Sequence, residues 1–380
     1  MDVAIRAGLE GLFVGVAHLD LGKLFMLALG CLLLYLAIAR GIEPLLLLPI
    51  GFGAILVNIP ESGLMAEDGV LRTFYNAGVA NEVFPVLVFI GIGALTDFGP
   101  LLENPKILLM GAAGQFGIFI TLLLALLLGF TLEQAVSIGV IGAMDGPTAI
   151  YVSSKFAPDL LGPISVAAYS YMSLVPIVQP PIMRLLTTKD ERLIVMGGVK
   201  RTVSRRAKLI FPIMVVIVGS IIAPQGTPLL GMIMLGNLIR ESGVVERLKQ
   251  ASENEIANIV TLLLGISIGA TMQAEIFLRY QTLLILVLGF VAICLDTATG
   301  VLFGKLMCAL SGGKINPLIG AAGISAFPMA ARVVQNEGQK YNKKNHLLMH
   351  AMGANTGGQI GSVIAAAIML SVLRGLGYGG

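Results

Sequence analysis

Apolar positions in this chain fall in long unbroken runs, not in the two-residue alternation of a half-buried strand or the narrow stripe of a water-facing helix. The clearest runs cover residues 24–39, 84–95, 107–130, 209–222, 256–270 and 282–307. Several approach the ~20 residues a helix needs to cross the hydrocarbon of a bilayer, and weaker or interrupted runs bring the reading to ~10 to 12 membrane elements. The pattern therefore predicts an all-α integral membrane protein.

Composition agrees: 56% of residues are hydrophobic, 12% are charged and mean hydropathy is +0.89. An ordinary soluble domain carries roughly 25% charged residues, so a soluble enzyme is excluded. Cys31, Cys294 and Cys308 stand in separate apolar runs without metal-ligand spacing, which points to packing. The opening "MDVAIRAGLEGLF" lacks a cleavable signal pattern, so the first span is expected to stay. A net charge of +3 does not call for nucleic acid. Basic residues gather instead in "TTKDERLIVMGGVKRTVSRRAK" (187–208), where Lys189, Arg192, Lys200, Arg201, Arg205, Arg206 and Lys208 outnumber Asp190 and Glu191. The positive-inside rule puts that loop in the cytoplasm.

The basic loop also divides the chain into matching halves. "EPLLLLPIGFGAILVNIPESG" (43–63) resembles "TPLLGMIMLGNLIRESG" (227–243), each closing on Glu-Ser-Gly. "IGALTD" at 92 pairs with "IGATMQ" at 268, and "IGA" at 141 with "IGA" at 319, shifts of 176 and 178 residues. The organisation read from this is an N-terminal segment 1–20, a membrane repeat 21–187, a cytoplasmic loop 188–208 and a second repeat 209–375. Two such repeats, expected to be inverted, are the architecture of transporters whose ion sites lie near the midplane where interrupted helices meet.

Interruptions do fall at matching places. "SIGVIGAMDGPTAIYVSSKFAP" (137–158) sets Asp145 before Gly146-Pro147, and "INPLIGAAGISAFPMAARVVQNEG" (315–338) sets Ser325 before Pro328. A proline removes a backbone donor, so a helix entering either stretch should break there and expose unpaired carbonyls and amides. Asp145 is read as an ion or proton site, since intramembrane carboxylates are costly and usually functional; capping the freed amides is the plainer reading. Thr148 and Ser325 are open between ligation and helix packing. Tyr171 either moves a proton or anchors a bundle contact by one hydrogen bond. Asn355, in "GANTGGQIG", offers a neutral oxygen ligand or an inter-helix bond. Arg332 either snorkels or faces the cavity, where it would suit a carboxylate. His346 and His350 share a helix face without a third ligand for a metal. Asp296, in "ICLDTATG", is read as capping or lining a packing contact, because no matching break surrounds it to form an aspartyl dyad with Asp145.

"GAMDGPTAIYVSSKFAPDLLG", "AAYSYMSLVPIVQPPIMR", "INPLIGAAGISAFPMAARV" and "LLMHAMGANTGGQIGS" closely resemble the β subunits of sodium-pumping, biotin-dependent decarboxylases, from about residue 20 to the C-terminus. These are the oxaloacetate, methylmalonyl-CoA, glutaconyl-CoA and malonate decarboxylase complexes. The resemblance implies a multi-pass subunit of a prokaryotic inner membrane that decarboxylates carboxybiotin, consumes a proton and drives Na⁺ outward. The partners it implies are a carboxyltransferase α subunit, a biotin carrier, a small membrane γ/δ subunit and surrounding lipid; homo-oligomerisation is left open. Biotin would arrive on the carrier, as this chain lacks a Met-Lys-Met biotinylation motif. The resemblance assigns Na⁺ binding to Asp145, Asn316, Gly320, Ser325 and Asn355, catalysis to Asp145, Tyr171 and Arg332, and a carboxybiotin contact to Arg332; Thr148 joins the Na⁺ set from the residues alone. The short stretch 61–80 matches acyl-CoA members better than oxaloacetate members. The competing reading is a secondary Na⁺/H⁺ or anion transporter with the same broken helices and no enzymatic coupling.

Overall fold

The computed structural model describes residues 15–41, 43–197 and 203–378. The N-terminal residues 1–14 and Lys200 and Arg201 of the basic loop lie outside the described residues. The described chain is helical throughout, with no strand. Its longer helices are α1 (Leu21–Arg40), α2 (Pro44–Val57), α3 (Val83–Leu95), α4 (Phe116–Leu127), α5 (Leu132–Gly139), α6 (Gly146–Phe156) and α7 (Leu161–Leu186). Beyond the basic loop follow α8 (Arg205–Ile222), α9 (Thr227–Ser242), α10 (Ala257–Ala270), α11 (Tyr280–Leu310), α12 (Met329–Tyr341) and α13 (Leu348–Gly375).

Among the described residues, four helical stretches are long and apolar enough to cross a membrane: α1, Pro105–Leu127, α11 and α13. The number is six if each of two pairs bent by 61°, Val70–Val79 with α3 and the two halves of α7, makes one span. The expected ten to twelve elements thus reduce to four to six full spans. The remainder are the 18-residue α8, with three basic residues in its first turn, and shorter helices, of which α2 and α10 have 14 residues each. At ~1.5 Å per residue such a helix reaches about 21 Å, less than the ~30 Å hydrocarbon layer.

Short helices pair where glycine lets backbones touch. α2 lies on α10, where a Cβ at Gly53 would stand 2.5 Å from the Ile266 carbonyl oxygen and one at Gly269 would strike that of Ile50. α3 lies on α9 in the same manner, Gly93 against the Ile233 carbonyl and Gly236 against that of Ile90. An asparagine locks each pair at its C-terminal end. Asn58 Nδ2 donates to the Met272 carbonyl at 2.8 Å, and Asn237 Nδ2 donates to that of Thr96 at 2.9 Å. In an environment where apolar surface gains nothing from burial against apolar surface, close backbone packing and such bonds supply the cohesion.

Inside this frame α13 is buried along most of its length, from His350 to Leu373. It packs on the Leu108–Ala113 turn, where Gly111 faces the backbone of Gly357 and Gly358, and it touches both interrupted segments described next.

Candidate functional site

Thr131 starts α5 with a capping box, its side chain accepting from Gln134 N while Gln134 accepts from Thr131 N. The helix tightens into a 3₁₀ turn, Val140–Ala143, and stops at Met144, whose φ of 53° is left-handed. Asp145 is extended and serves as the N-cap of α6, with Pro147 in the first turn, where its missing donor costs nothing. The break therefore falls at Met144–Asp145, one step before the Gly146-Pro147 pair expected to make it. Gly146 has another duty: a Cβ there would collide with the ring of Tyr169. In the second half, Asn316 caps a 3₁₀ stretch, Pro317–Gly323, and Ile324 is extended before α12 begins after Pro328.

The two interruptions meet. Ser325 N donates to the Ala143 carbonyl at 3.1 Å, a main-chain bond between the halves. Gln115 Nε2 holds the Gly323 carbonyl at 2.9 Å, and Gln179 Nε2 holds that of Ala321 at 2.8 Å. α13 spans the meeting point with Asn355, Gly358 and Ser362 at helical spacing. Asn355 Nδ2 donates to the Ile324 carbonyl at 2.6 Å, the Gly358 carbonyl accepts from Ser325 Oγ at 2.9 Å, and Ser362 Oγ donates to Asp145 Oδ2 at 2.9 Å. Thr148 Oγ1 donates to the same Asp145 oxygen at 2.6 Å. Asp145 is only 3% exposed, so its carboxyl depends on these hydroxyls and on the Thr148 N–H, which donates to Oδ1 at 3.5 Å, with no cationic side chain among the described residues.

A cavity of about 430 Å³ opens onto Asp145 and Ser325, with Tyr169, Gln359 and Glu43 in its walls. The Tyr169 hydroxyl is buried and has no partner among the described residues. Glu43, at left-handed φ of 34° before α2, stands between this cavity and a neighbouring one of about 660 Å³ that also carries Arg40. A non-glycine residue held in that conformation stores strain of the kind that gathers at functional sites.

Of the residues singled out in the sequence, Asp145, Thr148, Ser325 and Asn355 come together. Asn355 Oδ1 is buried and has no partner among the described residues, a neutral oxygen at the crossing. Gly320 lies one turn back from the crossing, its backbone pressed on Gly300. Asn316 sits at the far end of the same 3₁₀ stretch. Its Nδ2 donates to the carbonyls of Arg192 and Ile194, and its Oδ1 accepts from Leu318 N, so its side chain is already spent. Tyr171 points away from Asp145, donating to the Leu286 carbonyl on α11 with its ring by Phe290. Arg332 is exposed on α12, one turn beyond the cavity-lining Pro328. Asp296 lines the contact between α11 and the first turn of α4, where the Gly117 amide faces it, and neither of its oxygens closes a hydrogen bond among the described residues. Sequence reading missed Ser362, Gln359 and Glu43. A small polar residue in a small-residue helix, or a charge at a helix start, gives no local signal.

Residues 22–373 match the family model described as Na⁺-transporting oxaloacetate decarboxylase beta subunit. The chain is 54% identical to the glutaconyl-CoA decarboxylase subunit beta of Acidaminococcus fermentans over 354 residues, 93% of this chain and 94% of that one. It is 55% identical over 352 residues to the methylmalonyl-CoA decarboxylase subunit beta of Veillonella parvula, covering 93% of each. Against the oxaloacetate decarboxylase beta chain of Klebsiella pneumoniae, identity is 49% over 428 residues, 97% of this chain and 98% of that one. Match along nearly the whole length, with the crossing residues inside it, leads to one conclusion: the chain belongs to the family of Na⁺-transporting decarboxylase beta subunits.

Proposed function

We propose that this chain is the membrane-embedded subunit of a Na⁺-pumping decarboxylase, decarboxylating carboxybiotin brought by a partner and coupling that step to Na⁺ export and proton uptake. The observation that bears the proposal is Asp145, a buried carboxyl held by two hydroxyls and the Thr148 amide with no cationic partner among the described residues, at the crossing of two broken segments and open to a cavity. Carboxylate, amide and hydroxyl oxygens form a hard donor set suited to Na⁺ as cargo. Asp145 supplies the charge, and Asn355 Oδ1 and Ser325 Oγ supply neutral oxygens.

The cavity also fits a compact bicyclic urea: polar groups at one end, apolar walls from Leu45, Leu46, Val88 and Ile92 elsewhere. When delivered there, carboxybiotin supplies a carboxyl group whose departure as CO₂ leaves a nitrogen that needs a proton. Arg332, exposed one turn from Pro328, suits the incoming carboxylate. The phenol of Tyr169, without a partner among the described residues and sharing the cavity with Asp145 and Glu43, can hand a proton across it, beside Tyr171 as the other candidate. Asp145, rid of Na⁺, then takes the compensating proton.

The repeat organisation is part of the proposal, with boundaries at 21–187 and 209–375 around the basic loop. Three contacts support inversion. Lys208 at the start of α8 lies 3.5 Å from Asp97 just past α3, and 3.6 Å from Glu241 near the end of α9, so these termini share one face. Glu43 and Leu95 line one cavity, so α2 begins at the face where α3 ends. The equivalent helices α2 and α9 therefore run in opposite directions. Positive-inside charge makes the Lys208 face, and the mouth at Glu43, cytoplasmic. The substrate of the whole complex is assigned to the acyl-CoA class. The Klebsiella alignment extends over 428 positions against 380 residues here, whereas the acyl-CoA alignments extend over 354, 352 and, for the Propionigenium modestum methylmalonyl-CoA subunit, 382. Carboxyltransferase, biotin carrier and a small membrane subunit complete the assembly.

The test is ²²Na⁺ uptake and CO₂ release by the whole complex in proteoliposomes. Asp145→Asn is expected to abolish both, and an Asp145→Asn complex that still pumped would end the assignment.

A further inference from the structure

A second carboxylate lies wholly inside the helical bundle. Asp296, halfway along α11, is fully buried, and both of its oxygens lack a hydrogen-bond partner among the described residues. The Gly117 amide faces it without closing a hydrogen bond. Two glycines make its room: a Cβ at Gly117 on α4 would overlap Oδ1, and one at Gly142 in the first 3₁₀ turn would lie 3.1 Å from Oδ2. Gly142 stands three residues before Asp145. One turn further along α11, Gly300 packs on Gly320 of the second 3₁₀ stretch. The part of α11 that bears Asp296 is thus wedged between the two arms whose far ends meet at Asp145 and Ser325.

A carboxylate kept for architecture offsets its desolvation with donors or a cationic partner. Asp296 has neither. Its neighbours on α4 (FGIFITLLLALL), Val140–Ala143 and Pro317–Gly323 are all uncharged. On α7, also packed along α11, the titratable groups are Tyr169 at the cavity wall, Tyr171 bonded to Leu286 and Arg184 paired with Glu337. On α11 itself stand Tyr280 at its exposed start, the thiols Cys294 and Cys308, and Lys305 paired with Glu191, and on α5, which also touches α11, Glu133 lies in the first turn. Two further buried hydroxyls lack a partner among the described residues, that of Thr121, one turn along α4 from Gly117, and that of Thr297, the next residue of α11. An unpaired carboxylate at membrane depth among hard oxygen donors is the mark of an ion or proton station.

We propose that Asp296, with the hydroxyls of Thr121 and Thr297, is a second monovalent-cation site that loads H⁺ or Na⁺ between the two 3₁₀ arms while Asp145 holds Na⁺ at their crossing. The inference rests on the pump function proposed above and adds a second station to it.

The whole complex in proteoliposomes tests it through the ²²Na⁺ taken up per CO₂ released, measured across pH. Asp296→Asn keeps the side-chain shape and is expected to retain decarboxylation. If the site carries Na⁺, the ratio falls about twofold, as loss of one of two stations requires. If it carries H⁺, the ratio holds and the pH dependence of Na⁺ activation shifts. A wild-type ratio together with a wild-type pH profile overturns the proposal. Should Asp296→Asn fail to assemble, the unmodified complex decides: dicyclohexylcarbodiimide, which modifies protonated carboxyls in apolar surroundings, is expected to label Asp296, with protection by Na⁺ or by raised pH. No label at Asp296 then overturns the proposal. Absence of Na⁺-dependent decarboxylation in the unmodified complex would count against the pump function instead, a result the labelling does not depend on.

Discussion

Asp145 has two hydroxyl donors on one oxygen, so the residues that tune it are Thr148 and Ser362. A hydrogen bond to a charged group contributes about 1.5–3 kcal/mol, so Ser362→Ala should raise half-saturating Na⁺ about tenfold while leaving the complex assembled. Na⁺ titration of CO₂ release checks it. The tyrosines separate by the same experiment. Tyr171→Phe removes one neutral bond to the Leu286 carbonyl, worth about 1 kcal/mol of stability, with Na⁺ dependence unchanged. Tyr169→Phe removes a hydroxyl with no structural partner, so it should lower turnover and leave thermal stability near the wild type. Asp145, Thr148, Ser325 and Asn355 were legible in the sequence because a polar side chain beside a helix breaker in an oily run has few bland explanations. Asn316 looked equivalent, yet it faces the loop at Arg192 and Ile194. Only the fold shows which end of a 3₁₀ stretch meets the opposite half.

At the scale of helices, the frame is set by glycine at the α2–α10 and α3–α9 contacts. Gly236→Val would push a branched side chain into the Ile90 carbonyl, and overpacking of this kind costs about 1–3 kcal/mol or separates the pair. The loss should appear as a lower melting temperature of the detergent-solubilised complex, before any change in Na⁺ affinity. The ion pair between Arg184 and Glu337, at 2.6 and 2.9 Å, pins the end of α7 to α12. Arg184 is 44% exposed and Lys340 remains as a second partner, so Arg184→Ala should cost only about 1 kcal/mol. Hydropathy located the helices well and their lengths poorly. Residues 256–270 read as a near-complete span, but α10 is a 14-residue helix preceded by a π-helical turn, Ser252–Ile256, that carries Glu253 and Glu255. Apolar sequence reports burial in lipid or in protein alike, and here much of it is buried in protein.

For the molecule as a whole, inversion makes a geometric prediction. The two Glu-Ser-Gly turns, 61–63 and 241–243, should open on opposite faces of the membrane. In a background without Cys31, Cys294 and Cys308, a membrane-impermeant maleimide should reach Ser62→Cys from outside and Val244→Cys from the cytoplasm; labelling of both from one side would refute inversion. Proton and Na⁺ sharing Asp145 predicts that half-saturating Na⁺ rises as pH falls, toward about tenfold per pH unit where one proton competes. The repeated motifs and the breaks were visible in the sequence, while the inversion proposed for the repeats draws on the Lys208–Asp97 and Glu43–Leu95 neighbourhoods. The bond from Ser325 N to the Ala143 carbonyl has a consequence of another kind. Because it joins main chain to main chain, side-chain replacement at either position leaves it in place. Selection can therefore rewrite what the crossing holds, one ion for another, without unfastening the two arms, and only a proline at position 325 would undo the clasp.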